Sequence, residues 1–380
     1  MTKLPAFATS MVGSWPRPQR LVDAVRRKAP NLRAVQDEAV LAALEAQESA
    51  GLDVVTDGEQ RRDNFYSFLC DRVDGLRLMT LAELLDYVED KAAFETLLSA
   101  LDVPAFAIKV AVADGPLRAR EPLALGDFEF LRRHTRKPIK VTLPGPYLVT
   151  RSAWVKGITD KVHASRESLA DDVVALLHTE ILALAAAGAD VIQIDEPVLT
   201  ELVFAGKSAT RTFMCAALAA AAAPEQELDF AVGLINRVFE GVTGPLTAMH
   251  VCRGNWSRDE KVLLGGSYDA LVPHFARMNV QQFVLEYATP RAGTAAALAG
   301  LPAEKLLGLG AVNPRTDEIE DVDSVVRRAR EFADVLGPDR IHLNPDCGFA
   351  TFADRPMASD AVARGKLGVL VEAARRLRAG

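Results

Sequence analysis

The chain has 380 residues, 49% hydrophobic and 25% charged, a composition that excludes global disorder and is enough for a large core. Lys and Arg number 44 against 51 Asp and Glu, so the net charge is −7 and a general nucleic-acid binder is disfavoured. No apolar run reaches membrane-spanning length, no secretory h-region opens the chain, and four cysteines make no disulfide framework; the expectation is a cytoplasmic protein acting on small molecules, not on a membrane.

Short apolar runs alternate with amphipathic stretches. Thr9–Ser14 reads as a strand ending in a turn, and Asn31–Gly51 as a helix closed by its glycine. Asp53–Thr56 is the next strand. Leu81–Leu101 reads as an extra helical excursion, and Phe106–Asp127 as a hairpin inserted before the third strand. That strand, Pro138–Leu143, ends at Pro144-Gly145-Pro146. Helix Ser168–Gly188 leads to strand Ala189–Ile194. Helices around Thr212–Ala222 and Gln226–Phe239 precede strand Leu246–Val251. Strands at Gln282–Leu285, Lys305–Ala311 and Arg340–Leu343 follow, with helices Ile319–Val335 and Ser359–Leu377. Eight strands, most followed by a helix, predict an α/β fold: a single (β/α)8 TIM barrel spanning residues 1–380 as one domain.

The strongest chemical signal is His250-Val251-Cys252. Residues i and i+2 on a strand share a face, so an imidazole and a thiolate can meet one metal. Strand ends also supply Glu286 and Cys347, and the four side chains make a reasonable tetrahedral zinc set. The plainer alternative makes the cysteines buried small hydrophobes, Glu286 an ion-pair partner and His250 a core residue. Two thiolates and one carboxylate would leave a zinc site at (+2) − 3 = −1. Such a site polarises a carbonyl poorly but can take a substrate thiol and remove its proton.

These residues carry a resemblance. Met11–Pro16, Asp57–Asp63, Leu143–Pro146, Gln193–Pro197, His250–Cys252, Glu286 and Asn344–Gly348 resemble, in order, the motifs of the cobalamin-independent methionine synthase family, whose catalytic barrel also exists in short single-barrel relatives. The resemblance implies that His250, Cys252, Glu286 and Cys347 bind zinc and that Ser14, Glu59 and Asp195 hold homocysteine. Two acids at a barrel mouth suit an ammonium, and backbone N–H groups near Ser14 suit a carboxylate. Two departures touch the methyl-donor side. Trp154 lies eight residues after Pro146, offset from the family's tryptophan, and Val312 stands where the family has a histidine.

The expected activity is therefore zinc-dependent thiol S-alkylation, with methyl transfer to homocysteine giving methionine. The donor could be a methylfolate, a methyl-carrier corrinoid protein or another carrier. The alternative is an epoxyalkane:coenzyme M transferase, in which a thiol bearing a sulfonate would call on Arg61 or Arg62. Arg17 and Arg315 are ambiguous, and Cys70 and Cys215 read as core. His134, His163, His178, His274 and His342 show no evident partners, and Lys366 reads as exposed.

Overall fold

The computed structural model describes residues 4–87, 91, 109–204 and 223–380. Six strands form one parallel sheet in sequential order: β3 Lys140–Pro144, β4 Val191–Asp195, β5 Leu246–Val251, β6 Gln282–Glu286, β7 Leu306–Val312 and β8 Ile341–Pro345. Two shorter extended segments complete the ring. Thr9 pairs in parallel with Leu343, Ser10 with Val54, and Val55 with Ile139 just before β3. The backbone follows the same path: Ser10 N–H donates to the Leu343 carbonyl at 3.0 Å, Val54 N–H to Thr9 at 3.0 Å, and Lys140 N–H to Val55 at 2.9 Å. The eight predicted strands are thus the staves of the (β/α)8 architecture, although residues 9–10 and 54–55 contribute only single bridges.

The outer helices bury one face against the staves. Leu32–Ala50 buries Ala39, Val40, Ala43, Leu44, Ala46 and Gln47, a 3.6-residue rhythm, and ends at Gly51 with φ +90°, where a Cβ would be strained. Arg166–Ala186 opens with a capping box in which Ser165 and Ser168 exchange hydrogen bonds. Pro224–Val238, Val322–Leu336 and Asp360–Ala379 match the remaining predicted helices to within a few residues. Helix Thr212–Ala222 and Cys215 fall outside the described residues, as does most of Leu81–Leu101, of which Leu81–Leu84 is α-helical.

One expectation is corrected. The inserted hairpin does not lie within Phe106–Asp127. Strand β2, Lys109–Ala119, is continuous and pairs antiparallel with β1, Val73–Thr80, about thirty residues upstream by the register Thr80↔Lys109 and Val73↔Ala119. The bulge between Asp74 and Leu76 puts Gly75 at φ +84°, where the Gly115 and Pro116 carbonyls would lie within 2.6 Å of any Cβ.

The inside of the ring is partly polar. Lys140 Nζ donates to Ser10 Oγ at 2.8 Å and to the Met11 carbonyl at 2.7 Å, and burial pulls its pKa down to about 7. Gln282 Nε2 meets His342 Nδ1 at 2.8 Å, and burial, with Lys140 nearby, pulls His342 down to about 4. Lys366 is also buried rather than exposed: its ammonium is held by the Glu318 carbonyl and by Glu320 Oε2, so the last helix is tied to the loop after β7.

Candidate metal and thiol site

The C-terminal ends of the staves surround a pocket with about 720 Å³ of empty space. Ser14, Glu59, Asp195, His250, Cys252 and Cys347 all line it, brought there by five different stave ends. His250 and Cys252 flank Val251 at the end of β5, and Cys347 lies two residues beyond β8.

His250, Cys252 and Cys347 offer ligand atoms that all lie within 4.8 Å of one another, and all three are buried. His250 Nδ1 lies 3.1 Å from the Val284 carbonyl, so it is the protonated nitrogen and Nε2 is left as the acceptor. Nε2 is buried with no hydrogen-bond partner. An orphaned imidazole nitrogen beside two sulfurs fits a zinc ion, since a buried acceptor without a partner is costly. The charges agree. The hydrogen bond from Cys347 pulls Cys252 down to about 6, against burial, and pushes Cys347 up. Burial opposes charge on His250, but Cys252, Asp195 and Glu286 outweigh it and raise the imidazole to about 9. The cluster attracts positive charge, a proton or a metal cation.

Glu286 stands apart from that group. Its Oε1 lies 3.3 Å from Arg315 Nη1 and its Oε2 lies 3.2 Å from Arg291 Nη2. Arg315 is fully buried and also reaches Asp346 Oδ2 at 3.1 Å. Burial pushes the Glu286 carboxyl up, and these guanidiniums, with Arg253 and His250, bring it down overall.

The two pocket carboxylates have different surroundings. Glu59 Oε1 accepts from Thr142 Oγ1 at 2.9 Å, and the residue sits at φ +54°, a left-handed conformation that costs a non-glycine residue about 1–3 kcal/mol. Asp195 Oδ1 accepts from Gln193 Nε2 at 2.9 Å, and burial, with the like charge of Glu59, raises its pKa to about 7. Space around them is tight. A Cβ on Gly13 would come within 2.3 Å of Glu59 Oε1, and one on Gly348 within 2.1 Å of Ser14 Oγ.

Arg61 and Arg62 do not line the pocket, which corrects the expectation that they meet a substrate anion. Asp37 at 2.6 Å and Asp127 at 3.2 Å take the Arg61 guanidinium, which also stacks 4.5 Å from the Phe130 ring centroid. Arg62 donates to Thr142 Oγ1 and to the Thr142 carbonyl, and its guanidinium lies over Phe68. Both are committed to protein partners.

On the methyl-donor side, neither Trp154 nor Val312 lines the pocket. Asn313 is held by Glu320 and Glu260. The outer wall is instead Phe65, Tyr66, Trp256 and Phe352, with Lys109 and Asn255. Sequence reasoning missed these. Trp256 follows Cys252 by four residues, and Gly254, at φ +110°, leaves room for its ring, which would lie 2.2 Å from a Cβ there. An aromatic four residues after a strand-end cysteine was the available signal.

The family described as "Cobalamin-independent synthase, Catalytic domain" matches residues 7–229 and 248–376. The chain belongs to that family. Relatives include a methionine synthase of Saccharolobus solfataricus, 26% identical over 100% of this chain and 97% of its own length. Another, from Thermococcus kodakarensis, is 28% identical over 91% of this chain and 88% of its own length. The fold is shared with a B12-independent methionine synthase from a Shewanella species, solved with selenomethionine, at TM-score 0.74, 23% identity and 98% coverage of both chains. Family members of this kind are enzymes, and among the described residues no helix is long and apolar enough to cross a membrane.

Proposed function

We propose that this chain is a zinc-dependent methyltransferase whose acceptor is the thiol of homocysteine and whose product is methionine, with residues 1–380 acting as one catalytic unit. The observation that carries this reading is the union of two halves in one pocket. A sulfur-and-imidazole cluster, His250, Cys252 and Cys347, faces the same space as two carboxylates, Glu59 and Asp195. A molecule with a thiol at one end and an ammonium at the other matches both halves. The methionine synthases of Saccharolobus solfataricus and Thermococcus kodakarensis, which this chain resembles over most of their length, support the same reaction.

His250, Cys252 and Cys347 would hold the zinc, with Glu286 as the exchangeable fourth ligand because the arginines compete for its carboxylate. When bound, zinc supplies the positive charge that brings a thiol pKa from about 8.5 to below neutrality. Glu59 and Asp195 accept hydrogen bonds from the substrate ammonium, and the Ser14 region takes its carboxylate. The aromatic wall excludes water from the nucleophile.

The test is calorimetric titration of the zinc-loaded protein with homocysteine, coenzyme M and propanethiol, in buffers of different ionisation enthalpy. Homocysteine is expected to bind most tightly and to release about one proton near neutral pH, as a thiol does on meeting zinc. Tight coenzyme M binding without homocysteine binding would reject the proposal.

A further inference from the structure

Arg17 is buried at 7% exposure and follows the pocket residue Ser14 by three positions, past the end of the first stave. Its Nη2 donates to the Glu59 carbonyl at 2.8 Å and to the Arg62 carbonyl at 3.0 Å. Its Nη1 donates to the Ala350 carbonyl. One guanidinium therefore joins the loop that carries Glu59 to the loop that runs Cys347-Gly348-Phe349-Ala350. Ser14 reinforces the same join: Phe349 N–H donates to the Ser14 carbonyl at 3.0 Å, and Ala350 N–H to Ser14 Oγ at 3.3 Å.

The Glu59 backbone needs this support. Its φ of +54° is left-handed, and the peptide is gripped on both sides, the N–H by Asp57 Oδ1 at 2.9 Å and the carbonyl by Arg17 at 2.8 Å and the Arg62 N–H at 3.1 Å. Without Arg17 the carbonyl keeps only the turn bond from the Arg62 N–H, which belongs to the same loop and does not tie it to the rest of the pocket, so Glu59 can relax towards an ordinary conformation and swing its carboxylate. A planar fork can serve three carbonyls at fixed angles, which a lysine ammonium cannot reproduce.

We propose that Arg17 is a positioning residue that fixes the separation between the Glu59 carboxylate and the Cys347 sulfur, and so selects the length of the thiol amino acid the pocket accepts. The inference rests on the reading that Glu59 takes the ammonium and Cys347 belongs to the metal set. Homocysteine is held at both ends and depends on that separation. Cysteine is one methylene shorter, and propanethiol is held at the sulfur end alone.

The experiment uses zinc-loaded wild type, Arg17→Lys and Arg17→Ala, with metal content measured beside calorimetric affinities for homocysteine, cysteine and propanethiol. Arg17→Ala is expected to weaken homocysteine about tenfold or more, the scale of losing one or two hydrogen bonds from a charged group. Propanethiol should stay within about twofold, zinc content should not change, and the preference for homocysteine over cysteine should narrow. Added guanidinium should restore part of the homocysteine affinity to Arg17→Ala. Arg17→Lys, which keeps the charge, covers the case in which the alanine variant does not fold, and should show the same selective loss. Equal weakening of homocysteine and propanethiol, or no change in either, overturns the proposal while leaving the assigned reaction intact. Wild type that binds propanethiol but not homocysteine overturns the reading of Glu59 and this inference together.

Discussion

Glu286 and Arg315 form a buried ion pair at 3.3 Å, and Arg291 holds the other carboxylate oxygen at 3.2 Å. The carboxylate that could complete a four-ligand zinc set is therefore shared with two guanidiniums. Among the described residues His250, Cys252 and Cys347 have no ion-pair partner, and their ligand atoms lie within 4.8 Å of one another.

Zinc retention should follow that division. Cys347→Ser is expected to lower the metal content well below one per chain with the fold retained, because a core of this size does not depend on a metal. Glu286→Gln should keep more zinc than Cys347→Ser. Elemental analysis beside circular dichroism reads both. Full occupancy in Cys347→Ser would remove that sulfur from the site.

Asp195→Asn should weaken homocysteine by about 1.5–3 kcal/mol, the range for a hydrogen bond to a charged group. Zinc content should not move, and a thiol without an ammonium should be nearly indifferent. A parallel titration with Arg61→Ala checks the pocket boundary. Arg61 is taken by Asp37 and Asp127, so its loss should leave the affinity of any thiol close to wild type in protein that remains folded.

His342 predicts an acid limit on stability. Its pKa falls from 6.5 in the unfolded chain to about 4 in the fold, with burial the main cause. Between those values the unfolded chain binds more protons than the folded one, so stability is present above pH 6.5 and is lost as pH falls towards 4. The loss attributable to this group is on the order of 3 kcal/mol. Thermal melts from pH 7 to pH 4 should show a shallower decline for His342→Gln than for wild type. Parallel slopes would mean that His342 titrates normally.

Trp256 lines the pocket and Trp154 does not. Thiol binding should therefore change the intrinsic fluorescence of wild type and of Trp154→Phe, but far less that of Trp256→Phe. A retained signal in Trp256→Phe would place the ligand away from the aromatic wall.

The eight staves were legible because each is a short apolar run bounded by turn residues, and strand ends at such positions are where barrel chemistry sits. His250 and Cys252 were legible for a similar reason, since strand alternation alone puts them on one face. The antiparallel pair was misplaced because its partner strands lie some thirty residues apart, and no local periodicity encodes a pairing at that distance. The same limit explains Arg61, Lys366 and Glu286. Their partners are Asp127, Glu320 and Arg315, chosen by the packed tertiary structure rather than by spacing along the chain. Gly254 and Trp256 carried a readable hint, a glycine two residues after the strand-end Cys252 that leaves room for an aromatic in close approach.

The ring of staves has a seam. Six are laced by full parallel ladders, while residues 9–10 and 54–55 are joined to their neighbours by isolated bridges. Ser14 and Glu59 hang from those two thinly laced staves, whereas Asp195, His250 and Cys252 stand on the firmly laced ones. A molecule gripped by both groups acts as a clasp across the cask at its weakest join. Amide exchange on the first two staves should slow more than elsewhere when the amino acid is present, and the substrate then serves as the hoop that the backbone leaves slack.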